Sequence, residues 1–261
     1  MAIVTNGRLE YEMSTIDVTY PDIGKVTYRG SYPLIVSNQW MPPSKMPVKG
    51  DIITMDGKDY RVLKVNKNIV EVICMYDAGT TVFDIKSSYN NTYAEKNIDT
   101  YCNNTFYSGL SESIKSAIID KTFTQDSWNR VTSAPAELHY TGKYNSNTYY
   151  FILINTTYGT SITRHCYCLS IQDVLDYLEC TTSMGASDTT LTGINVLQMF
   201  WNTTTSQRNT FCLRSAISER SDYVFCINSN NGVFGDYGVH SDTTVRPAFQ
   251  IDLSKVEYTI K

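Results

Sequence analysis

LRSAISERSDYVFCINSNNGVFGDYGVHSDTTVRPAF, residues 213–249, is the stretch on which the reading of this chain turns. Its ends read as framework: Leu213-Arg214-Ser215 on one side, Val245-Arg246-Pro247-Ala248-Phe249 on the other. Between them, short polar and aromatic runs are broken by Gly232, Gly235 and Gly238. Irregular segments held on a rigid rim are where binding residues concentrate. Residues 218–222 read as a loop, 223–227 as a strand, 228–232 as a turn, and 234–242 as a glycine-punctuated loop region. Arg214 and Arg246 stand among apolar neighbours. A guanidinium there must find several acceptors, because buried unpaired charge is costly. Its planar fork of donors suits carboxylates and loop carbonyls. Both arginines are therefore assigned to holding the frame, with an anionic ligand as the competing reading. Recognition is then sought inward, at Tyr223, Phe234, Asp236, Tyr237, His240 and Asp242, with Glu219 from the preceding loop. Aromatic rings supply contact area and polar neighbours supply specificity.

Outward from this stretch, residues 49–261 read as one domain. A strand over 51–55, the turn Asp56-Gly57 and a strand over 60–65 form a hairpin. A second turn at 66–68 leads to a strand over 69–75. A helical turn falls within 100–107. Ile114, Ala117 and Ile118 follow helical spacing after Ser111, which predicts a short capped helix. Trp128 is assigned to the core, and residues 131–148 read as a loop or a β excursion. The continuous apolar run 149–154 reads as a buried strand. Residues 166–169 form a short strand, and Ser170 caps a helix over 171–178 with apolar residues at i, i+3, i+4 and i+7. Loops are expected at 183–190 and 202–207, with a short helix over 194–201 between them. The fold class is α+β.

Residues 1–48 form a separate β-rich opening. Strands are expected over 15–19, 25–29 and 32–36. The prolines between 40 and 47 read as an extended linker. This segment is either an adaptor to a larger assembly or a β appendage packed on the main domain.

Composition narrows the functions. Hydrophobic content is 42%, enough for a core, and tyrosine is conspicuous at 20 residues. Tyrosine and threonine favour strands, and tyrosine also serves contact surfaces. A net charge of −4 without runs of one sign argues against nucleic-acid binding and against a polybasic membrane patch. No stretch approaches a spanning helix, so no membrane insertion is expected. The N-terminus lacks the basic and apolar regions of a signal peptide. Seven cysteines, an odd number, fit reduced thiols better than a disulfide framework. The N-x-Thr triplets at Asn90, Asn103, Asn155 and Asn202 read as products of composition.

Four pieces together carry a resemblance: GDIITMDGKDYRVLKV at 50–65, LSIQDVLDYLE at 169–179, FCLRS at 211–215 and VRPAFQIDLS at 245–254. With them the chain resembles C-type-lectin-like domains of bacterial and phage proteins. These are related in architecture to formylglycine-generating enzymes and to the variable proteins of diversity-generating retroelements. The resemblance spans about residues 49–254. It implies a twisted mixed or antiparallel sheet, two main short helices and long loops. It further implies a non-catalytic receptor-binding protein of a phage or phage-derived particle, such as a tail-fibre component serving host attachment. Its target would be a host-surface protein or glycan, and residues 1–48 would meet other virion proteins. A homo-oligomer is expected, a trimer among the options, made in the bacterial cytoplasm and carried on the virion surface. The alternatives are a decoration or adaptor protein of a capsid or tail and, third, a formylglycine-type oxidase.

The chemistry that such folds host lacks its residues here. Calcium-dependent sugar binding would use Glu-Pro-Asn or Gln-Pro-Asp, which are absent, and Trp201-Asn202 is followed by Thr203. Asp222, Asp236 and Asp242 do not form a hard-cation cage by spacing. Copper would need a close cysteine pair, whereas Cys212 and Cys226 fall on different predicted strands. His165, Cys166, Cys168 and Cys180 are the best zinc candidates, but the spacing is not that of a zinc knuckle and core packing explains them better. His139 and His240 have no recognisable nucleophile partner. No catalytic residue, cofactor or metal is therefore assigned.

Overall fold

The computed structural model describes residues 2–5, 8–11, 15–20, 24–29, 46–85, 91–133, 135, 139–144, 147–178, 200, 209–227 and 234–261. The chain divides into two compact units, Met1–Met46 and Pro47–Lys261. The first holds two antiparallel hairpins: β1 (Ala2–Thr5) with β2 (Arg8–Tyr11), and β3 (Thr15–Tyr20) with β4 (Gly24–Arg29). The strand expected over 32–36 and the linker residues 40–45 lie outside the described residues.

The second unit opens with β5 (Ile52–Met55), β6 (Lys58–Asn66) and β7 (Ile69–Cys74). Asp56 and Gly57 sit at φ 47° and 71°. Two consecutive positive φ values make the two-residue turn whose twist matches that of the flanking strands. Next come β8 (Thr80–Val82), α1 (Asn97–Thr100), a π-helical turn (Tyr101–Phe106), α2 (Glu112–Ala117) and β9 (Ile118–Ile119). They are followed by β10 (Lys121–Val131), β11 (His139–Tyr144), β12 (Asn147–Arg164), β13 (Cys166–Tyr167) and α3 (Ile171–Leu178). The closing part holds β14 (Phe211–Ile217), β15 (Tyr223–Ile227), β16 (Phe234–Gly238), β17 (Asp242–Thr244) and β18 (Ala248–Asp252). A 3-10 turn (Leu253–Lys255) and β19 (Thr259–Ile260) end the chain.

These strands form two sheets. One runs β13-β18-β7-β6-β5-β19, with β9 also beside β18. The other runs β11-β12-β10-β14-β15-β16, with β17 against β14 and β8 against β17. The unit is α+β and mostly sheet. Its first and last strands pair, Thr54 with Thr259 and Ile53 with Ile260. The aromatic core includes Trp128, Phe151, Tyr167, Phe211 and Phe225, and α3 adds Ile171, Val174 and Leu175. Helix α3 starts with a reciprocal cap: the Asp173 amide donates to Ser170 Oγ at 3.1 Å and the Ser170 amide donates to the Asp173 carboxylate at 2.9 Å. Each side chain satisfies an amide that the helix itself cannot.

Three sequence expectations change. Ser111 does cap α2, accepting from the Ile114 amide at 3.4 Å. The helix nevertheless stops at Ala117, and Ile118 pairs with Ile251 in the sheet. Residues 121–131, read only for Trp128, form one full strand. The run 149–154 is part of an 18-residue strand and is not buried throughout. Phe151 reaches the core, but Leu153 and Ile154 are 36% and 48% exposed. Neighbours on a strand point to opposite faces, so β12 runs out past the core there. Trp128 is wholly buried and donates from Nε1 to Asp126 at 2.8 Å. Trp128→Ala is expected to cost about 3–5 kcal/mol of unfolding free energy, measured by urea denaturation.

Candidate functional site

Strand alternation divides the residues of the 213–249 stretch. Residues 234–238 are a strand, not a loop, and β16 pairs with β15 as Ile227 to Phe234, Phe225 to Asp236 and Val224 to Tyr237. Phe234 and Asp236 therefore share one face and Tyr237 takes the other. Phe234 is 4% exposed and meets Phe151 edge-on at 5.3 Å. It is a core residue, which corrects its reading as a ligand contact. Asp236 is ion-paired with Arg130 at 2.7 Å, and the Arg130 guanidinium lies 4.8 Å over the Tyr149 ring. On the other face, the half-buried Tyr237 donates from its hydroxyl to the Asp242 carbonyl at 2.8 Å. The exposed His240 donates from Nδ1 to the Asp84 carbonyl at 2.6 Å, and Asp242 lies opposite Val82 of β8. The predicted residues thus do not form one patch. The turn at 228–232, the loops at 183–190 and 202–207, and the helix at 194–201 except Phe200 lie outside the described residues.

Glu219 and Tyr223 belong to a better-defined feature. Residues 218–221 are exposed, and the backbone beneath them closes on one buried side chain. Asn91, with no exposed surface, donates from Nδ2 toward the carbonyls of Ile217, Arg220 and Tyr223 at 2.9, 3.1 and 2.9 Å. Its own Oδ1 accepts from the Tyr158 hydroxyl at 3.1 Å. Backbone bonds from Arg220 to Ile217 (3.2 Å) and from Tyr223 to Arg220 (3.1 Å) tighten the turn. The side chains project outward as a set. The Arg220 guanidinium lies 3.6 Å over the Tyr223 ring and 3.7 Å from Asp222, while Glu219 accepts from Asn129 at 2.8 Å. Asn91 has no counterpart among the residues singled out from the sequence, and it sits 126 positions from Ile217.

The two framework arginines are both buried. Arg214 donates from one terminal nitrogen to the Cys168 carbonyl at 2.8 Å and to Asp173 at 2.5 Å, and stacks 4.4 Å over Phe123. Burial alone would raise the Asp173 pKa. Arg214, and then Lys121, outweigh it and hold that carboxyl well below the usual range. Arg246 donates to the Phe200 carbonyl at 2.8 Å and to Asp77 at 2.5 Å, and burial lowers its pKa. Lys121 reaches Glu71 at 2.7 Å and Asp173 at 3.5 Å, and Glu71 also accepts from the Tyr167 hydroxyl at 2.6 Å. This network floors a cleft of about 730 Å³ walled by Lys49, Lys64, Asp176 and Tyr177. The sequence reading singled out none of the cleft's lining residues.

The thiols are structural in their surroundings. Cys212 faces Cys226 across β14 and β15, and both are buried. Burial pushes the Cys226 thiol up to about 12 and raises Cys212 as well, so neither is a ready thiolate. Cys166 and Cys168 are buried, with Cys168 3.8 Å from Cys102. The side chain of His139, and Cys180, lie outside the described residues. Among the described residues no group of three or more His, Cys, Asp or Glu is placed to hold a metal.

The family model described as "Domain of unknown function (DUF6273)" matches residues 62–253. The chain belongs to that family, and the matched region contains both framework arginines, Asn91 and the 218–223 loop. No curated protein and no solved structure matches the chain.

The depressed Asp173 pKa has a stability consequence with a definite sign. The folded state holds this carboxylate more readily than the unfolded chain. Its contribution is complete above the ordinary aspartate value of about 4 and fades as pH falls below it. Asp173→Asn should lower the urea midpoint clearly at pH 7, and the gap from wild type should narrow steadily between about pH 5 and pH 2.

Proposed function

We propose that this chain is a non-catalytic ligand-binding protein whose recognition surface centres on residues 218–223. The clamp of Asn91 on three loop carbonyls is the observation that carries this reading. A loop whose backbone is already fixed loses less freedom on binding, and each immobilised side chain otherwise costs about 0.5–1.5 kcal/mol. The clamp presents an Arg–Tyr stack flanked by Glu219 and Asp222, an amphipathic set suited to a protein or glycan surface.

Pairing of the unit's first and last strands, short helices beside a sheet, and a second sheet formed from the intervening chain support a C-type-lectin-like domain. The setting proposed is the surface of a phage or phage-derived particle, synthesised in the bacterial cytoplasm. Residues 1–48 attach to other virion proteins, and the chain works as a homo-oligomer. The target is a host-surface protein or glycan. A capsid or tail adaptor is the second reading, favoured by the exposed Leu153 and Ile154, which suit contact with a neighbouring subunit.

The test uses labelled protein on intact bacterial cells. Glu219→Lys combined with Arg220→Glu should abolish cell binding and leave the melting temperature within about 2 °C of wild type. Undiminished cell binding by this variant would overturn the loop as the recognition surface. Wild-type protein that binds no cells but assembles with a capsid or tail protein would favour the adaptor.

A further inference from the structure

A cavity of about 440 Å³ opens over the π-helical turn, apart from the 218–223 loop and the lysine cleft. Its floor is built from saturated polar groups. Asp99, 2% exposed, receives Arg164 through Nε at 2.8 Å and through a terminal nitrogen at 2.7 Å. Asn103 donates to the Asp99 side chain at 3.1 Å and to the Cys166 carbonyl at 2.8 Å, and accepts from the His165 amide at 3.1 Å. The π-helical turn contributes Asn103, and Tyr107 follows directly after it. Turns of this kind recur at functional sites.

On that floor His165 is fixed twice. Its Nδ1 is hydrogen-bonded to the Asp120 carboxylate, and its ring lies on Tyr107 with centroids 4.4 Å apart and planes 17° from parallel. Nε2 makes no hydrogen bond among the described residues. An imidazole held by a carboxylate on one nitrogen presents the other in a set direction. Neutral, that nitrogen accepts from a hydroxyl; protonated, it donates to one. Both His165 and Asp120 stay open to solvent, at 43% and 50% exposure.

We propose that this cavity binds a neutral saccharide unit. The lining is almost entirely hydroxyl, amide, carboxylate and imidazole, groups that match sugar hydroxyls acting as donor and acceptor at once. Apolar or aromatic ligands would find little to cover. Glu95, Asp99 and Asp120 face the cavity against one arginine, and that arginine is already spent on Asp99. A carboxylated or phosphorylated sugar therefore meets uncompensated negative charge. His165 and Asp120 would take adjacent hydroxyls, as an oriented pair whose geometry exists before the ligand arrives.

The site is independent of the loop proposed above, and titration calorimetry of the full chain separates the two. The probes are lactose, cellobiose, mannobiose and chitobiose, with sialyllactose as the anionic comparator. At least one neutral disaccharide should bind, more tightly than sialyllactose. His165→Ala and Asp120→Asn should each weaken it about tenfold or more at an unchanged melting temperature, while Arg220→Glu should leave it intact. The His165 Cε1 proton resonance should shift on adding the bound sugar to wild type. Failure of all four neutral sugars to bind would overturn the proposal. So would tighter binding of sialyllactose, or binding that survives both His165→Ala and Asp120→Asn.

Discussion

A buried chain of polar side chains joins helix α3 to the exposed loop at 218–223, and the rest of the large unit is arranged around it. The cause lies in the second sheet. Strands β10 and β14 run parallel and pair through only two positions, Ser127 with Ala216 and Trp128 with Ile217. One step back in that register, Asp126 accepts from the Ser215 hydroxyl at 2.5 Å. A further step back, Gln125 donates to the Arg214 carbonyl at 2.6 Å and to the Asn91 carbonyl at 2.7 Å. Side chains thus take over where the backbone ladder stops. Buried polar groups are tolerated only when satisfied, so these residues fix one another's positions. From Arg214 the chain continues into Asp173 and the start of α3; from Asn91 it continues into the three loop carbonyls.

This skeleton separates support from display. Arg214 and Arg246 each donate from terminal nitrogens to one carbonyl and one carboxylate inside the fold, and Lys121 is shared between Glu71 and Asp173. Arg220, Tyr223, Glu219 and Asp222 instead stand on a backbone held from below, which is the economy expected of a binding loop on a rigid frame. His165 repeats the pattern on a smaller scale: Asn103 holds its backbone, while Asp120 and Tyr107 set its ring.

What could be read from the chain depended on the range of the interaction. The Asp56-Gly57 hairpin and the Ser170–Asp173 cap are local, and their chemistry is written within a few residues. Apolar surroundings around Arg214 and Arg246 predict internal acceptors, and both are buried and bonded inside the fold; the distant residues that supply those acceptors leave no local trace. Phe234, Asp236 and Tyr237 were misread together because three nearby glycines look like a loop. Pairing with β15 makes the segment a strand and sends Phe234 inward. Leu153 and Ile154 misled in the opposite sense, since an apolar run implies burial only if both sheet faces are covered. Asn91 had no local mark at all. Its role follows from tertiary placement, and the Asn90-Asn91 pair looks by itself like any polar loop.

Amide hydrogen exchange of the loop addresses the central claim most directly. The amides of Ser218, Arg220 and Tyr223 bond to the Trp128, Ile217 and Arg220 carbonyls at 3.0, 3.2 and 3.1 Å. In wild type these three should be protected well beyond ordinary exposed loops. Asn91→Ala should release them while the β5–β7 meander keeps its protection. Loop amides that exchange freely in wild type, or stay protected without Asn91, would contradict the account of a recognition loop organised from beneath.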